Sequence, residues 1–322
     1  DNLIFRILLK EIFHISRLIP WSHSYRRKLK HFFQENPEYK IVHVHQDCLS
    51  SVALQCAMEC GVPVRIAHSH TSSAVRNMKY PIKKYYMKKI PVYATELFAC
   101  GKLAGIWMFQ GKNFKVIPNG IFVQDYMYSE KIREKVRKEL GVENNVVIGH
   151  VGNFTRAKNH EFLLKVFSEI LKKEPSARLI LVGSGGEQEK IQKLTVKLKI
   201  WKSVIFMGTR SDVNELMQAM DIFVFPSLYE GLPVTMIETQ AAGLPCVISD
   251  HVSNECRVVQ ELVSVMKLSD SPLNWADHIL SRVIEERRDC SDEIKRAGYD
   301  IEIASKNLEK FYLKIYERQG IK

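Results

Sequence analysis

The sequence lacks the features that mark several classes of protein. No apolar run reaches the roughly 18–20 residues that a membrane-spanning helix needs. Seven cysteines, an odd number without the spacing of a disulfide framework, are typical of a reducing compartment. Asp-x-Asp occurs nowhere, and neither does the His-Glu-x-x-His pattern of a metal-binding helix, so two common signatures of a metal site are absent. Internal repeats and low-complexity tracts are also absent.

The rest is a chain of ordinary globular composition. Its 322 residues, 46% hydrophobic and 26% charged, are enough for two domains with separate cores. The segment 1–20 is apolar in patches but interrupted by charges, which favours an amphipathic helix over a signal peptide. Cys56 and Cys60 stand one helical turn apart without a second pair at zinc spacing, which favours buried thiols over a metal site.

Acidic residues are scarce in the first part of the chain. Residues 1–140 hold 23 Lys and Arg against 11 Asp and Glu, whereas residues 141–322 hold 24 against 25. The densest basic stretches are RRKLK at 26–30 and KYPIKKYYMKK at 79–89. Such patches bind nucleic acid or an anionic membrane surface, or are a solvated face without a partner. The interleaved tyrosines favour a membrane interface or an acceptor cleft, and no nucleic-acid recognition motif is present.

The apolar pattern predicts strands that alternate with helices, which is typical of an α/β protein with parallel sheets. Predicted strands are 41–45, 64–68, 97–100, 114–117, 146–151, 178–182, 204–207, 222–225 and 246–249. Predicted helices are 25–34, 50–60, 102–109, 130–140, 160–172, 187–198, 212–220, 233–242, 272–288, 291–297 and 301–316. The helix 130–140 is interpreted as the bridge between domains. The predicted domains are therefore 1–140 and 141–300, with a C-terminal helix in 301–322 packing back on the first.

The segment 221–250 carries the clearest chemistry. A buried strand is followed by a loop with Glu230 and by a helix that starts at Pro233 and contains Glu238. Open α/β sheets bind ligands at the carboxyl ends of their strands, and the free N–H groups of a helix start suit a phosphate. Two carboxylates beside an anion site suit a ligand with both hydroxyls and phosphates, such as a nucleotide sugar. The alternative is a pair of surface glutamates on a helical hairpin.

This segment, E-G-L-P-x-x-x-x-E followed by A-A-G-L-P-C-V, resembles the donor-site signature of retaining glycosyltransferases of family 4, which have the GT-B fold. Further motifs in family order extend the resemblance from about 39 to about 280. These are VRIAHSH, ELFACGKLAGIWMF, VIPNGI, GHVGNFTRAKNHEFLLKVF, LVGSGG and FMGTRSDVNELMQAMD. Together they are similar to the bacterial branch that builds capsule and exopolysaccharide chains.

The resemblance implies a fold of two Rossmann-like domains whose parallel sheets face a cleft. Members of the family open with a strand, a Gly-rich turn and a second βα unit. Here the chain opens with a helix, and four strands are predicted before residue 118. We therefore expect the N-terminal part of the first domain to be missing, which leaves apolar sheet surface uncovered and bears on catalytic competence.

The resemblance also implies roles for residues around the two glutamates. Glu230 would face the donor sugar, with the Gly231 and Leu232 backbones close to it. Glu238 would hold the ribose hydroxyls. Gly231 suits this position because a residue without Cβ lets a ligand approach closely.

Phosphate binding is expected from the loop that contains Lys158. A lysine there can act with a helix N-terminus to neutralise a diphosphate. The family has an arginine where this chain has Asn153, so Arg156 either replaces it or is a surface cation. Other expected neighbours of the nucleotide, with plain loop chemistry as the alternative, are Gly183, Gly185, Thr209 and Arg210.

Histidines end two predicted strands of the first domain. His68 and His70 follow one strand, and His70 is the candidate to touch the sugar or the acceptor, with a capped strand end as the alternative. His43 and His45 alternate on another strand and face one way, which favours a structural role.

The residues and the resemblance together predict a metal-independent, hexosyltransferase-type enzyme without a cofactor. It would transfer a sugar from a nucleotide-sugar donor, a UDP-sugar, to a lipid-linked or polysaccharide acceptor in surface glycan synthesis. Its expected place is the cytoplasm, peripheral at the inner face of the plasma membrane, without nucleic acid as a partner. The alternatives are a nucleotide-sugar epimerase on the same fold and a non-catalytic module that binds nucleotide sugars or polyanions.

Overall fold

The computed structural model describes residues 23–71, 80–283 and 287–318. The amphipathic helix predicted over 1–20 lies outside the described residues. The chain divides into two compact units, one formed by Asp1–Ile117 with Asn307–Lys322 and the other by Pro118–Lys306. Among the described helices, none is long and apolar enough to cross a bilayer.

The first unit contains a parallel sheet with strand order β1-β2-β3-β4. Val64, Ile66 and Phe98 of this sheet form a buried cluster with Tyr312 and Ile315 of the C-terminal helix. The elements in chain order are α1 (His23–Glu35), β1 (Ile41–Val44), α2 (Ser50–Glu59), β2 (Val64–Ser69), α3 (Tyr80–Tyr93), β3 (Glu96–Ala99), α4 (Lys102–Phe109) and β4 (Lys115–Val116).

The second unit contains a parallel sheet with strand order β10-β9-β8-β5-β6-β7. Its elements are α5 (Val123–Tyr126), α6 (Glu130–Leu140), β5 (Val147–Val151), α7 (His160–Lys173), β6 (Arg178–Val182), α8 (Gln188–Lys197), β7 (Val204–Gly208), α9 (Val213–Ala219), β8 (Ile222–Phe225), α10 (Val234–Ala241), β9 (Cys246–Ser249), β10 (Val263–Met266), α11 (Pro272–Arg282) and α12 (Ser291–Arg296). Helix α13 (Ile301–Arg318) begins in this unit and ends in the first.

The second sheet is buried on both faces. Phe223 and Phe225 of β8 belong to one apolar cluster, whereas Ile222 and Val224 belong to another. Successive side chains of a strand point to opposite faces, so a strand covered on both sides reads as a continuous apolar run. For this reason the apolar run IFVF at 222–225 predicts strand β8 correctly.

The division between the units differs from the predicted boundary at 140–141. Helix α6 belongs to the second unit, because Arg133 and Arg137 form ion pairs with Asp221 at the start of β8. Asp221 also accepts the backbone N–H of Val147 at 2.7 Å, so one carboxylate ties α6 to two strands. The partners lie more than 70 positions apart in sequence, which hides the contact from a local pattern.

Three elements were not predicted from the sequence, and the short helix α5 is one of them. The basic, tyrosine-rich stretch forms helix α3, although it contains an internal proline at Pro91. Strand β10 at the edge of the second sheet is short and only partly buried, so its apolar pattern is weak. Of the helix predicted over 272–288, the structure describes Pro272–Arg282 as helical, and residues 284–286 lie outside the described part of the chain.

Candidate active site

Two loops are tied together at the carboxyl edge of the second sheet. One follows β5 and the other follows β8, and these strands are hydrogen-bonded neighbours. The Leu228 N–H donates to the Ala157 carbonyl oxygen at 2.8 Å, and Asn159 Nδ2 donates to the Pro226 carbonyl oxygen at 3.0 Å. This cross-linking holds the side chains that project from the two loops in a defined relation.

Lys158 and Glu230 meet between these loops. Lys158 Nζ lies 2.8 Å from Glu230 Oε1, and the two side chains are 17% and 16% exposed. The same nitrogen lies 4.4 Å from the centroid of the Phe225 ring, the last residue of β8. The structure therefore brings together the cation predicted for the diphosphate and the carboxylate predicted for the sugar. A group that carries hydroxyls and phosphates can contact both at this edge.

The second glutamate, Glu238, lies on helix α10 and is hydrogen-bonded to Tyr126. Burial raises the pKa of Glu238, and the hydrogen bond from the Tyr126 hydroxyl opposes this effect. Burial also raises the pKa of Tyr126, with a further increase from the Glu238 charge. Further hydroxyl donors, such as those of a ribose diol, would stabilise the ionised form of a carboxylate buried in this way.

The glycine turn after β6 packs against the turn after β5. A Cβ on Gly183 would overlap the Gly152 carbonyl oxygen, and a Cβ on Gly185 would lie 2.5 Å from the Phe154 carbonyl oxygen. Gly183 also has a positive φ of 136°. Only residues without a side chain permit this approach, so both glycines are explained by the contact between the loops.

The remaining residues predicted to border the nucleotide have varied surroundings. Thr209 Oγ1 donates to Ser184 Oγ at 3.1 Å, which joins the loop after β7 to the glycine turn. Arg210 is held by Asp212, with its Nε 2.8 Å from one carboxylate oxygen. The Asp212 carboxylate raises the pKa of Arg210, so this guanidinium stays charged. The backbone of Leu232 follows Gly231 in the loop, while its side chain packs against a core cluster.

Arg156 is exposed and lines a surface pocket of about 340 Å³ rather than contacting the Lys158–Glu230 pair through any described bond. The pocket also contains Glu161 and Lys190, which form an ion pair with each other. The phosphate-binding role predicted for Arg156 therefore has less support from geometry than that of Lys158.

Two buried histidines behind Lys158 were missed in the sequence. The His150 Nδ1–H donates to the Val224 carbonyl oxygen at 2.8 Å, and burial lowers the pKa of His150 well below its usual range. Burial likewise lowers the pKa of His160 to about 4, and its ring stacks on Phe154. Burial therefore favours the neutral form of both rings beside the lysine. The sequence GHVGNFTRAKNH contains both residues, but nothing local indicates that they lie together.

His70 lies in the first unit, directly after β2, and is exposed. Its Nε2 is 2.9 Å from His45 Nδ1. His68 and His43 are buried beside it on β2 and β1, with ring centroids 5.2 Å apart. Contact of His70 with a sugar or an acceptor stays a prediction, as do the binding roles of the residues in the second unit.

Comparison with known proteins places this geometry in a family. Residues 132–298 match the family described as glycosyl transferases group 1. EpsF of Bacillus subtilis, a protein named as a glycosyltransferase, is 31% identical over 289 residues, which cover 86% of this chain and 75% of that protein. A UDP-Gal:α-D-GlcNAc-diphosphoundecaprenol α-1,3-galactosyltransferase of Escherichia coli is 26% identical over 238 residues, which cover 70% of this chain and 61% of that protein.

A solved structure supports the fold. The crystal structure of HepE from Anabaena in complex with UDP superimposes with a TM-score of 0.74 at 21% identity, over 90% of this chain and 82% of that one. The predicted α/β fold with two parallel sheets is confirmed. The family match over more than half of the chain and the similarity to EpsF confirm the predicted family as well. The chain belongs to the group 1 glycosyltransferases, with the GT-B fold.

Proposed function

We propose that the chain is a retaining glycosyltransferase that moves a sugar from a UDP-sugar to a lipid-linked or polysaccharide acceptor during surface glycan synthesis. The observation that carries the proposal is the pair formed by Lys158 and Glu230, 2.8 Å apart between two cross-linked loops at the carboxyl edge of the sheet. A cation next to a carboxylate suits a donor whose phosphates and sugar hydroxyls are adjacent.

The choice of UDP is supported by relatives. HepE from Anabaena is described in complexes with UDP and with UDP-glucose, and the Escherichia coli relative carries a UDP-sugar in its name. The name of the Escherichia coli relative also contains diphosphoundecaprenol, which supports a lipid-linked acceptor here. Vi polysaccharide biosynthesis protein VipC/TviE of Salmonella typhi is 30% identical over 169 residues, which supports a role in surface polysaccharide synthesis.

The transfer needs few groups from the protein. The bond between the anomeric carbon and the diphosphate oxygen breaks, the acceptor hydroxyl oxygen bonds to that carbon, and its proton passes to the departing phosphate. Lys158 would stabilise the charge that develops on the diphosphate, and Glu230 would orient the sugar through its hydroxyls. Glu238 would hold the ribose, and His70 would contact the acceptor side. In this scheme protein cations replace a metal ion at the diphosphate.

The proposed place of action is the cytoplasmic face of the plasma membrane. Helix α3 exposes Ile82, Tyr85 and Val92, which are 46%, 58% and 64% accessible. Lysines at 83, 84, 88 and 89 lie on the same helix. Exposed apolar and aromatic side chains interspersed with lysine suit the interface of an anionic membrane.

Nucleotide calorimetry tests the donor site. The purified chain is titrated with UDP, GDP and ADP, beside the Glu238→Ala variant and a Glu189→Ala control on the exposed surface of α8. We expect UDP to bind selectively, Glu238→Ala to weaken it by about 10- to 100-fold through loss of charged hydrogen bonds, and Glu189→Ala to leave it unchanged. Absence of nucleotide binding by the folded chain would contradict the donor site.

A second assay separates transfer from the alternatives. UDP-sugar is incubated with and without a lipid-linked diphosphate acceptor, and both UDP release and the fate of the sugar are measured. Sugar isomerisation without an acceptor would identify an epimerase, and binding without turnover would identify a non-catalytic module. Either result would contradict the transferase proposal while leaving the nucleotide site intact.

A further inference from the structure

Four histidines gather at the carboxyl end of the first two strands of the first unit. His43 and His45 form one His-x-His pair at the end of β1, and His68 and His70 form another at the end of β2. Alternate residues of a strand share a face, and β1 and β2 are parallel neighbours. The rings therefore form a two-by-two array, with adjacent centroids 4.2 to 5.2 Å apart.

Ring nitrogens of this array converge. His43, His45 and His68 each offer one nitrogen, and these three atoms lie within 4.8 Å of one another. Imidazole nitrogens bound to one Zn²⁺ ion are roughly 3.3 Å apart, given tetrahedral geometry and Zn–N bonds of about 2.0–2.1 Å. Side-chain adjustments on the order of 1 Å would close the three nitrogens on an ion. His45 lies at the surface, which provides an entry path and room for the adjustment.

The hydrogen bonds of these histidines leave ring nitrogens whose lone pairs can bind an ion. His43 Nδ1 lies 2.5 Å from the Tyr312 hydroxyl, and its buried Nε2 has no hydrogen-bond partner among the described residues. His45 Nδ1 pairs with His70, 2.9 Å away. Neither ring nitrogen of His68 makes a hydrogen bond of ordinary geometry to the described residues, although the Ile117 backbone lies near enough to interact with the ring. Histidines that bind a metal commonly hydrogen-bond one ring nitrogen and use the other for the ion. His43 and His45 each have one ring nitrogen in such a hydrogen bond.

His43 and His68 are buried, whereas His45 lies at the surface. Polar atoms buried without partners cost free energy, and an ion would satisfy them.

We propose that His43, His45 and His68 bind one divalent transition-metal ion of the zinc class, with His70 hydrogen-bonded to His45 in the outer shell of the site. Imidazole ligands suit zinc, copper and nickel, whereas magnesium and calcium require oxygen ligands. The ion links the carboxyl ends of β1 and β2 and, through Tyr312, helix α13. All of these residues belong to the first unit.

Metal binding is measured directly on the full chain, without a histidine tag and after treatment with a chelator. Zn²⁺ and Mg²⁺ are titrated by calorimetry, and Co²⁺ is titrated by visible absorption, which reports coordination geometry. The variants are His45→Ala and His68→Ala. His31→Ala is the control, because His31 lies in the same unit on the exposed surface of α1. Circular dichroism checks that each variant is folded.

We expect one Zn²⁺ per chain, no competition from Mg²⁺, and a visible Co²⁺ spectrum. His45→Ala and His68→Ala should each weaken Zn²⁺ binding at least tenfold and remove the Co²⁺ bands, and His31→Ala should change neither. If His68→Ala fails to fold, the surface variant His45→Ala decides the question. Absence of Zn²⁺ binding, or binding that is unchanged in His45→Ala, would overturn the proposal.

Discussion

At the scale of single residues, the proposed nucleotide site of the second unit depends on the Lys158–Glu230 pair. A partly buried ion pair adds little net stability, because the desolvation of both charges offsets their attraction. Its value lies in preorganisation, since Asn159 and Leu228 hold the two loops together whether or not a ligand is present. In the proposed site, a diphosphate would meet a cation already in place at Lys158.

Replacing Lys158 tests this role. Lys158→Ala should lower kcat/KM by about 100-fold, the usual effect of removing one group that stabilises transition-state charge. Lys165→Ala is the matched control, because Lys165 is exposed on α7. Steady-state kinetics with the donor varied provide the measurement. Equal activity of the two variants would remove Lys158 from the mechanism.

The negative charge of Glu238 should favour binding of the ligand but lower the stability of the folded state. Burial raises its pKa above the ordinary value of 4.5, so the folded state binds the proton more tightly than the unfolded state. Its ionised form therefore lowers stability once the pH exceeds the raised pKa, and this penalty disappears as the pH falls toward 4.5.

Glu238→Gln removes this charge and keeps an oxygen that can accept from Tyr126. We expect the variant to unfold at a higher temperature than the parent at neutral pH, with the difference shrinking as the pH is lowered, while UDP affinity falls at least about tenfold. Thermal unfolding as a function of pH and calorimetry give the two readouts. A stability difference that is independent of pH would contradict the assigned origin.

At the scale of elements, one ion-pair cluster fixes a helix on the second sheet, and two glycines allow two turns to pack together. Asp221 anchors α6 to the second sheet through Arg133 and Arg137 and also accepts the N–H of Val147 at the start of β5. The turns after β5 and β6 touch through backbone atoms, where Gly185 leaves no room for a side chain. The glycine contact positions loops of the candidate site, whereas the Asp221 contact fixes α6 at the amino ends of β5 and β8.

Removing Asp221 should loosen α6. Asp221→Ala leaves two arginines without their carboxylate, and we expect a loss of about 3–5 kcal/mol in the free energy of unfolding. Asp277→Ala is the control, because Asp277 forms a surface pair with Lys173 that should contribute less than about 1 kcal/mol. Urea unfolding of both variants measures the difference, and similar values for the two would refute the anchoring role.

The glycine turn provides an internally matched pair of variants. A Cβ on Gly185 would meet the Phe154 backbone at 2.5 Å, whereas nothing lies within 4 Å of a Cβ on Gly186. We expect Gly185→Ala to destabilise the second unit by about 1–3 kcal/mol and to weaken UDP binding, and Gly186→Ala to stay within about 0.5 kcal/mol of the parent. Denaturant unfolding and calorimetry distinguish them, and equal effects would mean that the turn can move.

At the scale of the whole molecule, charge is unevenly distributed along the chain. The excess of basic residues lies within 1–140, and α3 adds an exposed apolar stripe to it. Ile82, Tyr85 and Val92 are spaced so that they share one face of the helix. This face suits the surface of an anionic bilayer.

Vesicle sedimentation tests membrane contact. The chain should bind vesicles that contain anionic lipid, with weaker binding as salt is added, and should not bind neutral vesicles. Lys84→Glu with Lys88→Glu should reduce binding by about tenfold or more, since each basic residue near the surface contributes about 1 kcal/mol. Lys197→Glu with Lys202→Glu makes the same change of charge in the second unit and should have little effect. Equal losses would indicate a response to net charge alone.

The sequence by itself determined the alternation of strands and helices in the second unit and the family to which the chain belongs. Buried parallel strands such as Arg178–Val182 and Ile222–Phe225 are short apolar runs bounded by Gly and Pro, so their signal is local. The local pattern also singled out Glu230 and Lys158, because each lies between a strand end and a helix start, and Glu238, which lies in the helix that follows Glu230.

Only the tertiary structure decided which of these residues meet. The Lys158–Glu230 pair depends on β5 lying beside β8, and the anchor at Asp221 joins residues more than 70 positions apart. The bond between Tyr126 and Glu238 and the array of four histidines likewise depend on which elements become neighbours. Strand order and register are set by the packing of the whole unit, so the hydrophobic pattern of any one segment does not contain them.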